Sequence, residues 1–88
     1  MNKHYIVKGK VQGVWFRQST KEKANSLNIT GWVKNLENGD VEVCAFGTDA
    51  DIAELESWLW RGPEYACVDT IIIDECNDEI QNGFEIRR

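Results

Sequence analysis

The sequence predicts an α+β sandwich of βαββαβ order with a short extra C-terminal strand, its two helices lying on one face of a mixed, mainly antiparallel sheet. Three observations carry this. Two runs with apolar residues at helical spacing alternate with short strand-like runs. An Asn38-Gly39 pair separates two of those runs in the way a tight hairpin demands. At 88 residues, with one proline and no repeat or low-complexity tract, residues 1–88 read as a single domain with one small core.

Each element has its own reason. His4 to Val11 mixes Tyr5, Ile6 and Val7 with Lys8 and Lys10, a strand with at least one covered face. Phe16 to Leu27 places Phe16, Thr20, Ala24 and Leu27 on one helical stripe, with Lys21, Glu22 and Lys23 off it, and Asn28 follows as a left-handed cap. Thr30 to Leu36 and Val41 to Phe46 form the two arms of the hairpin. Thr48 is suited to cap a second helix, with Asp51 three residues on; Ile52, Leu55 and Leu59 make its buried stripe and Arg61-Gly62-Pro63 its end. Val68 to Glu75, centred on Ile71-Ile72-Ile73, is expected to be a buried strand, and Phe84-Glu85-Ile86-Arg87 a short last one. Trp32 is expected in the core with Trp58 packing from the second helix, while Trp60 falls off the stripe and is expected to be partly exposed.

Composition narrows the partners. No apolar run approaches the roughly 20 residues a membrane span needs, and the start shows no signal-peptide core, so a soluble, cytoplasmic protein is expected. Cys44, Cys67 and Cys76 are odd in number and show no C-x-x-C spacing; they read as reduced thiols, without a disulfide framework or a zinc site. The net charge of −5 tells against nucleic acid, yet the charge is uneven. Residues 1–35 hold Lys3, Lys8, Lys10, Arg17, Lys21, Lys23 and Lys34 against Glu22, a balance of +6, which leaves −11 for residues 36–88. If the fold gathers those lysines near the first turn, a small anion is steered inward despite the acidic whole.

That turn is the most informative stretch of the chain. Gly9-Lys10-Val11-Gln12-Gly13-Val14-Trp15-Phe16-Arg17 joins a strand to a helix through a segment whose glycines let the backbone curl and approach a ligand closely. Free N–H groups at the helix start and the positive end of its dipole make it an anion site. Arg17, in the first helical turn, adds a planar fork able to clasp a phosphate in two places. A strand–helix–strand crossover returns the chain parallel to its start, so the ends of strands one and two share an edge and Asn35 meets the turn.

The same stretch matches the pattern G-x-V-Q-G-V-x-F-R at every fixed position, and Gly31-Trp32-Val33-Lys34-Asn35-Leu36-Glu37-Asn38-Gly39-Asp40-Val41 matches G-W-V-x-N-x-x-x-G-x-V. On these two motifs the chain resembles the acylphosphatases over essentially its whole length. Lys10, Trp15 and Leu36 fall at tolerant positions, and Asn28 stands where glycine is common. The resemblance implies a ferredoxin-like fold and metal-independent hydrolysis of acyl phosphates to a carboxylate and inorganic phosphate. It implies that the amides of Val11, Gln12, Gly13, Val14, Trp15 and Phe16, with Arg17, hold the phosphate and that Asn35 orients the water.

Elementary chemistry agrees with that division of labour. An acyl phosphate loses a carboxylate, a weak base that departs unprotonated, so no general acid is needed. Its loose transition state asks mainly for positioning and for stabilised equatorial oxygens. Rival machinery is missing from the sequence: His4 is the only histidine, no cysteine has an arginine six positions on, and G-x-x-x-x-G-K-[ST] is absent. Asp49, Asp51, Asp74 and Glu75 read as helix-start charge and solvated rim rather than metal ligands. No cofactor is expected. The expected partner is a small-molecule acyl phosphate, with inorganic phosphate or sulfate able to occupy the same cradle; neither nucleic acid nor membrane is expected, and the chain is expected to be monomeric. Trp15, beside the cradle, is expected to favour bulky or aromatic acyl groups. The alternatives are a ligand- or RNA-binding module on the same topology, or an acylphosphatase-like domain serving as a partner-interaction or maturation module. RNA reading wants exposed aromatics on strands one and three, where strand three offers only Phe46 amid Asp40 and Glu42, and the intact Arg17 and Asn35 tell against a non-catalytic module.

Overall fold

A computed structural model describes residues 1–79 and 82–88. The elements run β1 (Asn2–Lys10), α1 (Phe16–Ser26), β2 (Thr30–Asn35), β3 (Val41–Phe46), α2 (Asp49–Arg61), β4 (Cys67–Asp74) and β5 (Phe84–Arg87). They make one five-stranded sheet in the order β4-β1-β3-β2-β5. β1 and β2 both pair antiparallel with β3, so they run the same way, as the crossover rule requires. Val7 and Asn35 flank the same residue, Val41, from its two sides. β5 adds to β2 in parallel, and β4 to β1 antiparallel.

Local chemistry accounts for the boundaries. The hairpin closes through Leu36 N–H to the Asp40 carbonyl at 2.8 Å, with Gly39 at φ +97°. Thr48 Oγ1 accepts the Asp51 N–H at 3.2 Å and so caps α2, whose first turn carries Asp49 and Asp51 against the helix dipole. α1 ends with Asn28 at φ +57° and Ile29 N–H bonded to the Ala24 carbonyl at 2.9 Å. Thr20, fully buried on the α1 stripe, satisfies its hydroxyl on the Phe16 carbonyl at 2.7 Å.

One face of the sheet meets both helices. Tyr5, Val7, Val33, Val41, Val43, Ala45 and Ile71 point into a continuous core with Phe16 and Ala24 of α1 and Ile52, Leu55 and Leu59 of α2. Phe16 and the half-buried Trp58 pack ring against ring, centroids 5.8 Å apart. Tyr5 sends its hydroxyl to Glu56 Oε1 at 3.2 Å; burial first, and the neighbouring carboxylate second, push its pKa well above the ordinary tyrosine value.

The opposite face corrects three expectations. Trp32 is buried, but in a separate cluster with Cys44, Phe46 and Cys76 on the helix-free side, so Trp58 does not pack on it. Cys44 and Cys76 form a disulfide, with Cα atoms 5.7 Å apart, while Cys67 is free and exposed. The reason is topological: the chain leaves the β4 edge for the β5 edge and passes Cys76 over the side of β3 that carries Cys44. β4 is an edge strand rather than a buried one; only Ile71 of the three isoleucines is buried, Ile72 and Ile73 being 53% and 39% exposed. Polar pairs complete this face. Trp32 Nε1–H donates to Asp78 at 2.8 Å, which more than any other contact holds that carboxyl below the usual range. His4 meets Glu42 at 2.7 Å.

Candidate active site

The cradle begins where β1 stops pairing. At Gly9 a register shift against β4 brings the two backbones so close that a Cβ would overlap the Cys67 carbonyl, so this glycine serves strand packing rather than ligand approach. Gly13, at φ +73°, faces open space and supplies the curl. Trp15 follows at φ +64°, a left-handed conformation unusual for a bulky side chain, immediately before α1. Strain of this kind gathers at functional positions. Its consequence is visible in the hydrogen bonds: the first bond of the helix is Ser19 N–H to the Trp15 carbonyl. Among the described residues, no backbone carbonyl or side chain accepts the N–H groups of Gln12 through Gln18.

Gln12 fixes the loop in place. Its side-chain amide donates to the Leu36 carbonyl at 2.8 Å and the Asp40 carbonyl at 2.9 Å, tying the curled segment to the β2–β3 hairpin. Lys8 on Asp40 at 2.6 Å braces the same corner from β1. This is the physical link between the two sequence motifs: a glutamine of the first clamps the turn of the second, beside Asn35.

The loop, α1, β2 and the β5 end border an open cavity of about 450 Å³ lined by Val11, Gly13, Trp15, Phe16, Arg17, Gln18, Asn35, Ile86 and Arg88. Arg17 and Asn35 are thus brought together, with Trp15, 78% exposed, at the rim. Gln12 and Val14 do not line it; Gln12 anchors the loop and Val14 is buried in the core. Arg17 has no acidic partner among the described residues. The Asn35 side-chain oxygen is buried and, among the described residues, accepts no hydrogen bond, a costly arrangement in a folded protein.

The early lysines do not gather here. Lys8, Lys23 and Lys34 are spent on Asp40, Glu54 and Glu42, and among the described residues no lysine lines the cavity. The second cation comes instead from Arg88, in the acidic part of the chain, a residue the sequence reading missed. Among the described residues, no group of three His, Cys, Asp or Glu side chains is placed to hold a metal, and no helix is long and apolar enough to cross a membrane.

The model of the acylphosphatase family matches residues 3–86. The chain belongs to the acylphosphatase family. The acylphosphatase of Coxiella burnetii (strain RSA 493 / Nine Mile phase I) is 48% identical over 84 residues, covering 96% of this chain and 88% of that one. A solved acylphosphatase structure from Coxiella burnetii superposes with a TM-score of 0.92 at 46% identity, covering 98% and 90% of the two chains. One from Bacillus subtilis gives 0.94 at 31% identity, covering 99% and 98%. The ferredoxin-like sandwich is therefore that of the family, and both motif segments, together with Gln18, Ile86 and Arg88, line the cavity.

Proposed function

We propose that the protein hydrolyses the carboxyl–phosphate bond of acyl phosphates, releasing a carboxylate and inorganic phosphate. The observation that carries this is that one cavity is lined by the curled loop, Arg17 and Asn35, and that among the described residues neither the loop N–H groups nor the guanidinium has a protein acceptor. The amides of residues 11–16 and the fork of Arg17 hold the phosphoryl oxygens and follow their charge into the transition state. A water hydrogen-bonded to the Asn35 carboxamide is held on the face of phosphorus opposite the acyl oxygen. Its oxygen forms the new P–O bond as the P–O bond to the acyl group breaks. The electron pair leaves with the carboxylate, and the proton shed by the water passes to the phosphate product or to solvent.

Neither a strong base nor a general acid is required, because the leaving group is a weak base and the transition state is loose. That is why a site without a titrating group can suffice. Asn35, neutral at every pH, orients the nucleophile without depending on protonation. Trp15, at the rim, flanks the acyl portion and favours aromatic over small acyl groups. The substrate is a small molecule, phosphate or sulfate competes for the same cradle, and the protein works as a cytoplasmic monomer.

The test is phosphate release from benzoyl phosphate with EDTA present. Arg17→Gln is expected to lose substrate binding and turnover together, because its fork serves ground and transition states alike. Asn35→Ala is expected to lower kcat by about a hundredfold with little change in KM, because only the water is misplaced. Retained turnover in both variants would move the reading to a binding module, and loss of wild-type activity in EDTA would sink the metal-free mechanism.

A further inference from the structure

β5 and the residue after it present two consecutive arginines, and the sheet sends them to opposite faces. Arg87 lies on the helix-free side, where its charge is absorbed: Nε donates to Glu85 at 2.7 Å, Nη1 lies 3.4 Å from Asp78, and the guanidinium sits 4.7 Å over the Trp32 ring. Arg88 lies on the other side and has no acidic partner among the described residues. Its place follows from the register. β2 and β5 run parallel with Val33 beside Ile86 and Lys34 beside Arg87, so the next step along both strands reaches Asn35 and Arg88. Both point the way Val33 and Ile86 do, and both line the cavity that Arg17 lines.

We propose that Arg88 is a second phosphate-binding residue, so that the cavity holds two guanidinium groups matched to the two charges of a phosphate dianion. This rests on the reading of the cavity as a phosphate site. Among the described residues, no acidic side chain lines the cavity to neutralise either arginine. In-line attack settles which part of the substrate Arg88 meets. The water stands on the Asn35 side, so the acyl group departs from the opposite side of phosphorus, away from β2 and β5. An arginine next to Asn35 therefore meets phosphoryl oxygens rather than the acyl group.

The contribution differs in kind from that of Arg17. Arg88 is exposed, on a flexible stem outside the curled loop, and grips whatever phosphate is present. Such uniform binding lowers KM and equally tightens product phosphate, without accelerating the chemical step. The protein is therefore built to be held back by its own product, through a residue dispensable for bond breaking.

The experiment compares wild type, Arg88→Gln, Arg88→Lys and Arg17→Gln in benzoyl phosphate hydrolysis, with inorganic phosphate as competitive inhibitor at fixed ionic strength. For Arg88→Gln, KM and the phosphate inhibition constant are expected to rise together by about tenfold, the worth of one charge-assisted hydrogen bond, while kcat moves by less than about threefold. Arg88→Lys recovers part of both losses, since the charge remains and the fork does not. Unchanged KM and inhibition constant in Arg88→Gln, or a loss confined to kcat, would overturn the assignment. Should phosphate fail to inhibit the wild type, or Arg17→Gln leave its inhibition unaltered, the phosphate reading of the cavity itself fails. A phosphate response to Arg17→Gln but not to Arg88→Gln defeats the role of Arg88 alone.

Discussion

The two faces of the sheet are held by different physics. On the helix side, side chains from β1, β2, β3 and β4 and from both helices share one apolar volume, and most of them are completely buried. No single pair there is decisive; the sum of buried area is. On the other side the links are individual: a disulfide between residues 32 apart, an indole N–H on a carboxylate, an arginine over an indole, a histidine on a glutamate. The lesson is that the cavity shared by Arg17 and Asn35 hangs on the collective face. The stitched face lies behind the sheet, free to change without disturbing Arg17 and Asn35.

That contrast can be broken by experiment, most severely in the core. Leu55→Ala, at a fully buried position of α2, is expected to cost about 4 kcal/mol in urea unfolding, since a cavity opens in a volume shared by two helices and the sheet. Reduction of Cys44–Cys76 is expected to lower stability by about 3 kcal/mol through the freed chain entropy, with kcat unchanged because the bond lies on the far face. A fall in kcat on reduction would show that the two faces are coupled. Tyr5→Phe removes one hydrogen bond to Glu56 and is expected to cost about 1–2 kcal/mol at neutral pH. The folded-state pKa of Tyr5 is raised, so the stability of the neutral phenol is fully present below the unfolded value of about 10 and is lost as pH rises toward the folded value. The gap between wild type and Tyr5→Phe should therefore narrow in alkali. The smallest effect runs the other way: Trp15→Gly relieves a left-handed tryptophan and is expected to stabilise by up to about 1 kcal/mol. The same variant should lower the preference for benzoyl over acetyl phosphate.

What could be read from the chain follows the same division. Features set by neighbours in sequence were legible: the Asn38-Gly39 turn, the Thr48 cap, the left-handed Asn28, the stripes of both helices and the strand-to-helix turn with Arg17. The meeting of Arg17 with Asn35 was legible too, because crossover handedness is a general rule. Features that depend on which strand lies at which edge were not. Ile71-Ile72-Ile73 looks like an interior strand until β4 proves to be the edge. Cys44 and Cys76 look unrelated until the chain is seen to cross from one edge to the other. Arg88 could have been suspected from the alternation of Phe84, Ile86 and Arg88, but its neighbour Asn35 follows only from the parallel pairing of β2 and β5. The left-handed Trp15 carried no signal at all, since the G-x-V-Q-G-V-x-F-R pattern leaves its position open.

That tryptophan also gives the molecule a built-in optical probe. Trp32 is buried and Trp58 half-buried, Trp60 is on α2, and Trp15 projects its indole at the cavity mouth. Its emission should be the reddest of the four and the most open to collisional quenching by iodide, so an anion settling in the cavity should announce itself as shielding, in the unlabelled protein and without any turnover.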